Sequence, residues 1–305
     1  MKPVLLVVVG IPGSGKSTYV EQYEAEGYVV HASDKLRAEM GDENDQSHNV
    51  EVFEILYKRI KEDLLAGKNV CLYATNLRRR NRRHLCYMLN RINCYKKCIV
   101  VATPFEECLC NNAVRERQVP EHVFFHMIKN FQMPCTHEGW DEIEVVYPKP
   151  EYKGYYGNPF IHVASLMDYD QGNSHHKLSL GEHMEETWHC YLENFKDCDE
   201  AAFASLLHDI GKPITRTEVN RKGEDDGESH FYSHHNAGSY LSLFFDMDSW
   251  PWINKRYVAL LIELHMRPHL EYKKSPEALE KDIRLFGQKT VDDVFRIHLC
   301  DLTAH

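Results

Sequence analysis

The sequence lacks three features that would place it in common protein classes. No Cys-x-x-Cys pair occurs among its ten cysteines, so a structural zinc knuckle is not expected. No apolar stretch has the length of a membrane-spanning helix, and the run Val4–Val9 is too short for a signal peptide. Positive charge is not in excess, because 36 basic residues face 46 acidic ones for a net charge of −10. This balance argues against a protein that coats nucleic acid by bulk charge.

The scattered cysteines are predicted to be free, buried thiols of a cytoplasmic protein. Two close pairs, Cys94 with Cys98 and Cys108 with Cys110, are the alternative candidates for metal ligation. The short apolar run leads into a glycine-rich loop rather than a cleavage site. We therefore expect a soluble, cytoplasmic chain with no membrane partner.

Charge and histidine are distributed unevenly along the 305 residues. Residues 1–150 carry 20 basic and 20 acidic residues with 6 histidines. Residues 151–305 carry 16 basic and 26 acidic residues with 13 histidines. The length suits two domains with cores of their own, and the asymmetry predicts that they perform different chemistry.

A phosphate-binding loop is the strongest local motif. The run Val4–Val9 is typical of a strand buried in a parallel sheet, and GIPGSGKST follows at residues 10–18. This segment satisfies the pattern G-x-x-x-x-G-K-[ST] between a strand and a helix. Its backbone N–H groups are expected to surround the polyphosphate of ATP, while Lys16 reaches the outer phosphates and Ser17 ligates Mg²⁺. The predicted nucleotide-binding residues are Gly13, Ser14, Gly15, Lys16, Ser17 and Thr18.

Strands and helices alternate through the first half. Further strands are predicted at 28–30, 70–73, 98–101 and 143–147, and helices at 17–25, 49–66 and 79–92. This alternation predicts an α/β domain with a parallel sheet and flanking helices. Ligands of such sheets bind beyond the carboxyl ends of the strands, so the residues that follow each strand are candidates for function.

Charged residues follow three of the predicted strands. Asp34 could accept the proton of an attacking hydroxyl, and Arg37 could hold a phosphate of the acceptor. Helix N-capping is the alternative role for Asp34. Five arginines between residues 78 and 83 suit a polyanion, with a solvated helix face as the alternative. Arg115 lies in a segment typical of a lid over a transferring phosphate.

These motifs resemble the P-loop kinase family that includes phage-type 5′-hydroxyl polynucleotide kinases. The resemblance covers residues 3–147 and is carried by GIPGSGKST, SDKLR, ATN followed by arginines, NNAVRERQVP and EGWD. It implies that Asp34 is the general base on the 5′-hydroxyl, that Arg37 contacts the neighbouring phosphate of the acceptor, and that Arg115 acts on the transferring phosphate. Two positions depart from the family pattern. Tyr73 stands where many members have an acidic residue, and Asn111 where many have arginine.

The second half is predicted to be an all-α domain. Residues 146–160 contain three prolines and two glycines without an apolar period, which indicates a linker. We expect a first domain at residues 1–148, a linker at 149–160 and a second domain at 161–305. Helices are predicted at 179–192, 201–208, 237–245, 252–266, 276–286 and 291–304.

Histidines and aspartates recur on separate predicted helices of this domain. The set consists of His183, His208, Asp209, His234, His265 and Asp301. These six imidazole and carboxylate ligands suffice for two divalent ions such as Mn²⁺, Ni²⁺, Co²⁺ or Fe²⁺, which would assist attack of water on phosphorus. For any one histidine taken singly, an ordinary core or surface role is the alternative.

This set resembles that of the HD-domain phosphohydrolases, over about residues 160–305. The resemblance is carried by His183, LLHDIGK at residues 206–212, FYSHHNAG at 231–238 and Asp301. It implies one metal held by His183, His208, Asp209 and Asp301, and a second held by His234 and His265 with Asp209 bridging. Lys212 would face the substrate phosphate. His235 and His269 are alternative ligands at the second site.

Together the two halves suggest an RNA end-healing enzyme, similar to the fusions of polynucleotide kinase with HD phosphatase. A 5′-hydroxyl kinase and a metal-dependent 2′,3′-cyclic, 2′ or 3′ phosphohydrolase would prepare both ends of broken RNA, or of DNA, for a separate RNA ligase. The alternative is a nucleoside-type small-molecule kinase fused to a nucleotide phosphohydrolase. A third hypothesis is a nucleotide-gated switch joined to an HD binding module.

Overall fold

The computed structural model describes residues 2–42, 47–173 and 177–304 of the chain. They form two compact units. The first comprises Met1–Val119 and Pro134–Pro148, and the second comprises Pro120–Met133 and Lys149–His305. Within the described ranges, no helix combines the length and the apolar character that a membrane crossing requires.

The first unit is built on a sheet of five parallel strands in the order β2-β3-β1-β4-β5. The strands are β1 (Val4–Val9), β2 (Val29–Ala32), β3 (Val70–Tyr73), β4 (Tyr95–Val101) and β5 (Glu142–Val146). Its helices are α1 (Lys16–Ala25), α2 (Ser33–Met40), α3 (Asn49–Leu65), α4 (Arg79–Met88) and α5 (Phe105–Ala113). The predicted α/β class with a parallel sheet is confirmed.

The central strand β1 sets the position of the phosphate loop. Val7 pairs with Leu72 of β3 on one side and with Cys98 of β4 on the other. Residues 5–9 are fully buried, which explains the unbroken apolar run, since neighbours cover both faces of the strand. The chain leaves the carboxyl end of β1 and turns directly into α1. The N-terminus of that helix therefore lies at the sheet edge where such folds bind ligands.

A buried ion cluster joins the start of α4 to the segment before β5. Arg82 donates from Nε and Nη2 to the two carboxylate oxygens of Glu138, both at 2.8 Å, and Arg79 Nε donates at 3.2 Å. The indole of Trp140 donates to the same carboxylate at 3.0 Å. Although burial raises it, Arg82 and Arg79 hold the pKa of Glu138 below its ordinary value. Two arginines of the 78–83 run thus stabilise the fold.

We expect Glu138→Gln to lower the free energy of unfolding by about 3 kcal/mol, because Arg82 would remain buried without its counter-charge. The folded-state pKa of Glu138 lies below the ordinary value of 4.5. Its contribution is therefore fully present above pH 4.5 and is lost as the pH falls through the folded-state pKa. Denaturant unfolding across a pH series measures both effects. Glu142→Gln is the control, because that carboxylate pairs with Lys97 at the surface, and equal losses in the two variants would contradict the assignment.

The second unit is helical. Its helices are α6 (Glu121–Ile128), α7 (Pro159–Ala164), α8 (Leu180–Phe195), α9 (Glu200–Leu207), α10 (Lys212–Thr215), α11 (His234–Leu241), α12 (Lys255–Leu264), α13 (Pro276–Phe286) and α14 (Gln288–Thr303). A π-helical turn covers Pro268–Tyr272. The described part of this unit contains no strand beyond an isolated bridge between Thr217 and His230. Helix α9 is buried from Ala201 to Leu207 and contacts α8, α12 and α14. The predicted all-α class is confirmed.

The segment Pro120–Met133 packs within the second unit, although it lies between α5 and β5 in the sequence. Helix α6 contacts α11. The side chain of Asn236 donates to the carbonyl oxygen of Lys129 at 2.8 Å, and the ring of Phe131 lies edge-on to Tyr240 with centroids 5.0 Å apart. These contacts join sequence positions more than a hundred residues apart, which no local pattern indicates.

Residues of the predicted linker also have regular structure. Pro150–Gly154 form a short 3-10 helix, and Tyr152 within it is buried. Asn158 caps α7 by accepting hydrogen bonds from the backbone N–H groups of Phe160 and Ile161. The proline and glycine content thus accompanies tight turns that pack in the second unit.

Candidate functional sites

The phosphate loop lies at the carboxyl edge of the sheet, between β1 and α1. Gly13 and Gly15 have φ values of 75° and 86°, in the left-handed region that favours glycine. A side chain at Gly13 would also collide with the carbonyl oxygen of Cys108. The ammonium of Lys16 is buried and donates to the carbonyl oxygen of Ile11 at 2.7 Å. The backbone of the loop therefore covers the ammonium of Lys16.

A cavity of about 350 Å³ opens at this loop. Five of the six predicted nucleotide-binding residues line it, namely Gly13, Gly15, Lys16, Ser17 and Thr18. The sixth, Ser14, is buried, and its hydroxyl has no hydrogen-bond partner in the described part of the chain. The lining is completed by Pro12, Tyr73, Asn111 and Arg115. Backbone N–H groups, an ammonium and a guanidinium together form a donor set suited to a polyphosphate.

Two pKa shifts describe the electrostatics of this cavity. Burial is the main cause that lowers the pKa of Lys16 to about 8, and Arg115 acts in the same direction, while Cys108 and Asp34 oppose it. A bound phosphate would restore the charged form. Burial raises the pKa of Tyr73, and a hydrogen bond from the side chain of Ser17 works against that rise. The phenol thus occupies the place beside Ser17 where the family pattern has an acid.

Asp34 and Arg37 form a pair at the start of α2. The N-cap position of this helix is Ala32, so Asp34 lies in the first turn and does not serve as the cap. Arg37 Nη1 donates to Asp34 Oδ1 at 2.6 Å, and Nη2 donates to the side chain of Asn49 at 2.6 Å. The guanidinium is buried while the Asp34 side chain is 60% exposed. The carboxylate is therefore accessible from solvent, and Arg37 holds its orientation.

The loop that carries Arg115 is held by Asn112. The Asn112 side chain donates to the carbonyl oxygen of Val119 and accepts from its N–H, both at 2.9 Å. The neighbouring Asn111 donates to the carbonyl oxygen of Gly13 at 2.9 Å. The two asparagines thus close the 113–118 loop and fasten its base to the phosphate loop. Sequence reasoning missed the role of Asn112. The only signal for it is that asparagine side chains commonly hydrogen-bond the backbone of a turn.

In the second unit, His183 of α8 and His208 at the end of α9 face each other through their Nε2 atoms. Their Nε2 atoms lie 3.1 Å apart. Asp301 Oδ1 lies 3.1 Å from the first and 3.5 Å from the second. Asp209 Oδ2 lies 3.5 and 3.4 Å from the same two nitrogens. One oxygen of each carboxylate therefore lies within 3.5 Å of both imidazole nitrogens.

The other oxygen of Asp209 faces a second histidine pair. The Nε2 atoms of His234 and His265 lie 3.3 Å apart, and Asp209 Oδ1 lies 3.1 and 3.8 Å from them. Among the described residues, the groups that could hold a metal ion are His183 with His208 and Asp209, and Asp209 with His234 and His265. Asp209 is common to both groups and is placed to bridge two ions.

Backbone contacts fix the tautomer of all four histidines. Each Nδ1 lies 2.7 or 2.8 Å from a carbonyl oxygen, and the acceptors are Ala304, Ser205, Phe231 and Ile262. Nδ1 must donate in these contacts, so the neutral rings present Nε2 lone pairs to one another. Two lone pairs at 3.1 Å repel unless a metal ion or a proton lies between them. The donor set therefore fits divalent metal ions held by imidazole and carboxylate.

The same proximity governs the pKa values of the cluster. Burial would raise the pKa of Asp209, but Lys212 and His208 hold it well below its ordinary range. Burial likewise works against the ionised form of Asp301, and His183 and His208 keep its pKa well below the usual value. The cluster thus maintains two carboxylates in the form that metal binding requires.

Comparison with known families gave one match in each half of the chain. The chain matches the sequence models of two families, the AAA domain over residues 5–134 and the HD domain over residues 177–290. The phosphate loop lies within the first match, and all the metal-ligand candidates except Asp301 lie within the second. The chain combines an AAA domain with an HD domain. A comparison with curated proteins gave no match.

Three solved structures are similar to part of the chain. Two chains described as the Pnkp1/Rnl/Hen1 complex and the Pnkp1/Rnl/Hen1 RNA repair complex are 22% and 21% identical, with TM-scores of 0.34 and 0.37. The alignments cover 39% and 42% of this chain and 41% and 43% of those chains, so this chain spans less than half of their length. A gluconokinase from Sinorhizobium meliloti 1021 is 19% identical with a TM-score of 0.36, over 49% of this chain and 85% of its own.

Lys212 of the HD domain contacts the histidine–aspartate cluster through Asp209. It is buried, and its ammonium contacts Asp209 Oδ2 at 2.7 Å and donates to Gln171 Oε1 at 2.6 Å. The role of Lys212 towards a substrate phosphate stays a prediction. The structure adds Gln171, which sequence reasoning missed because a lone glutamine carries no pattern.

The alternative ligands of the HD domain lie further out. The ring centroid of His235 is 5.6 Å from that of His234 and 6.3 Å from that of His265. Burial and the neighbouring His234 lower the pKa of His235 to about 3, so this ring is neutral. His269 is exposed within the π-helical turn. The geometry therefore favours His234 and His265 as the second pair.

Proposed function

We propose that the chain is a bifunctional RNA end-healing enzyme. One activity is an ATP-dependent 5′-hydroxyl polynucleotide kinase, and the other is a metal-dependent phosphohydrolase of 2′,3′-cyclic, 2′ or 3′ phosphate ends. The observation that carries the proposal is the presence, in one chain, of a phosphate-loop cavity and a buried histidine–aspartate cluster. Adding and removing phosphate on one small metabolite would only consume ATP. The two activities are productive together on the opposite ends of a broken strand.

The kinase residues have separable roles. The phosphate loop and Lys16 would bind the ATP phosphates, and Arg115 would neutralise charge on the transferring group. Asp34 would accept the proton of the 5′-hydroxyl, with Arg37 orienting it and reaching the phosphate of the next nucleotide. Mg²⁺, which Ser17 would ligate, supplies charge neutralisation between the phosphates when bound.

The HD residues supply the second reaction. His183, His208, Asp209 and Asp301 would hold one divalent ion, and His234 and His265 a second, with Asp209 shared. Such ions supply Lewis-acid polarisation of a phosphate ester when bound. The backbone carbonyls keep the four imidazoles oriented. Lys212 would exchange its contact with Asp209 for one with a substrate phosphate.

The decisive experiment uses one RNA oligonucleotide with a 5′-hydroxyl and a 2′,3′-cyclic phosphate. After incubation with ATP, Mg²⁺ and Mn²⁺ or Ni²⁺, mass analysis should show a phosphate gained at the 5′ end and lost at the 3′ end. The product should then be sealed by an added RNA ligase. Activity on mononucleosides with none on RNA would instead support a nucleoside-type kinase. Unchanged RNA ends would refute the proposal.

A further inference from the structure

A long stretch of chain around α4 carries no acidic residue. Between Asp63 and Glu106 there is no aspartate or glutamate, although the chain has 46 acidic residues. The same stretch contains nine lysines and arginines, and α4 lies near its centre. It therefore carries local positive charge within a chain of net charge −10.

Helix α4 divides its arginines between two faces. Arg79 and Arg82 point inward to Glu138. Arg80 and Arg83 are exposed, and Arg91 follows in an exposed position just beyond the helix. Tyr87, one turn after Arg83, is 73% exposed. We refer to Arg80, Arg83, Tyr87 and Arg91 as the α4 outer face.

The charges of the α4 outer face are not neutralised by neighbours. Arg80, Arg83 and Arg91 form no ion pair with any residue within 2–42, 47–173 or 177–304. Arg80, Arg83 and Tyr87 follow one another at helical spacings of three and four residues, so they share a stripe about 10 Å long. Proteins that bind single-stranded nucleic acid use exposed aromatic rings beside unpaired guanidinium groups. The guanidinium groups contact phosphates and the rings stack on bases.

The helix begins next to the phosphate loop. The backbone N–H of Gly10 donates to the carbonyl oxygen of Thr75 at 3.1 Å, and Asn76 Nδ2 donates to Val8 at 2.9 Å. Arg82 Nη1 donates to the carbonyl oxygens of Asn76 and Leu77, both at 2.8 Å. The buried Arg82 thus anchors the first turn of α4 at the carboxyl edge of the sheet. The α4 outer face extends along the helix away from that edge.

We propose that the α4 outer face binds the single-stranded RNA that follows the 5′ end of the acceptor. Arg80, Arg83 and Arg91 contact backbone phosphates, and a base stacks on Tyr87. This inference rests on the proposed polynucleotide kinase activity and deepens it, because it makes the enzyme prefer long acceptors over short ones. The arginine run then has two roles, an inner pair for the fold and an outer set for the substrate.

The test compares acceptor lengths in the full chain. We expect the double variant R80A/R83A to raise the KM for a 5′-hydroxyl RNA 12-mer about tenfold and to leave kcat and the KM for a dinucleotide unchanged. The slope of log Kd against log salt concentration for the 12-mer should become shallower by about 1.4, because each lost phosphate contact removes about 0.7. Y87A should weaken 12-mer binding with little change in this slope.

The matched control is K58A/K61A, which removes two exposed lysines at the same spacing on α3. If R80A/R83A phosphorylates the 12-mer like this control, with the same salt slope, the α4 outer face does not bind RNA. If the α4 outer face binds a protein partner instead of RNA, R80A/R83A would likewise leave phosphorylation of the 12-mer and its salt slope unchanged. Absence of RNA phosphorylation in the unaltered chain would instead refute the kinase proposal itself.

Discussion

Asp209→Asn should abolish the removal of 2′,3′-phosphate ends and leave 5′ phosphorylation intact. The carboxylate of Asp209 lies within 3.8 Å of all four imidazole Nε2 atoms and contacts Lys212. The isosteric amide removes the negative charge that two ions would share and leaves only one acceptor oxygen. We expect at least about a 1,000-fold loss of phosphohydrolase rate, equivalent to the several kcal/mol that metal ions contribute to such reactions. Elemental analysis of the purified protein should show a parallel loss of bound divalent metal.

Asp293→Asn provides the matched control for Asp209→Asn. Asp293 is also a buried aspartate of the second unit, but it pairs with Lys289 and Tyr257 rather than with the histidines. The control should keep its metal and its phosphohydrolase activity. Retention of both by Asp209→Asn would exclude a bridging role for this carboxylate.

Asp34→Asn should lower the rate of 5′ phosphorylation by about 10²–10⁴-fold, the usual contribution of a positioned general base. The amide cannot accept the proton of the 5′-hydroxyl, although it can still accept the hydrogen bond from Arg37. ATP affinity should stay unchanged, because the phosphate-loop cavity is lined by other residues. Phosphate removal by the second unit should be unaffected.

Glu39→Gln is the corresponding control on α2. Glu39 lies on the same helix but forms a surface ion pair with Arg59. Its replacement should leave kcat and KM close to those of the unaltered chain. If single-turnover phosphorylation by Asp34→Asn differed from this control by less than tenfold, Asp34 would not be the base.

Contiguous motifs were the predictable part of the molecule. The phosphate loop occupies nine successive residues between a buried strand and a helix, so its fold and its lysine follow from local rules. The helices of the second half follow from their apolar periods. The pairing of His183 with His208 and of His234 with His265 does not, because it depends on where four separate helices cross.

The arginine run shows what local patterns miss. Taken as charge alone, residues 78–83 suggest one solvated or anion-binding surface. Arg79 and Arg82 instead share the inner face of α4 with Leu85 and Cys86. That three- and four-residue spacing was visible in the sequence, but the partner Glu138 lies 56 residues beyond Arg82 and gives no local signal.

The assignment of Pro120–Met133 to the second unit determines how the protein can be dissected. The chain passes from one unit to the other after Val119, after Met133 and after Pro148. A fragment that ends at Pro148 would keep the fully buried side chains of Phe124 and Phe131 but lose α11, against which this segment packs. Such a fragment would expose apolar surface and tend to aggregate. Point variants in the full chain are therefore the sound way to separate the two activities, and a first-unit fragment needs a short polar link in place of residues 120–133.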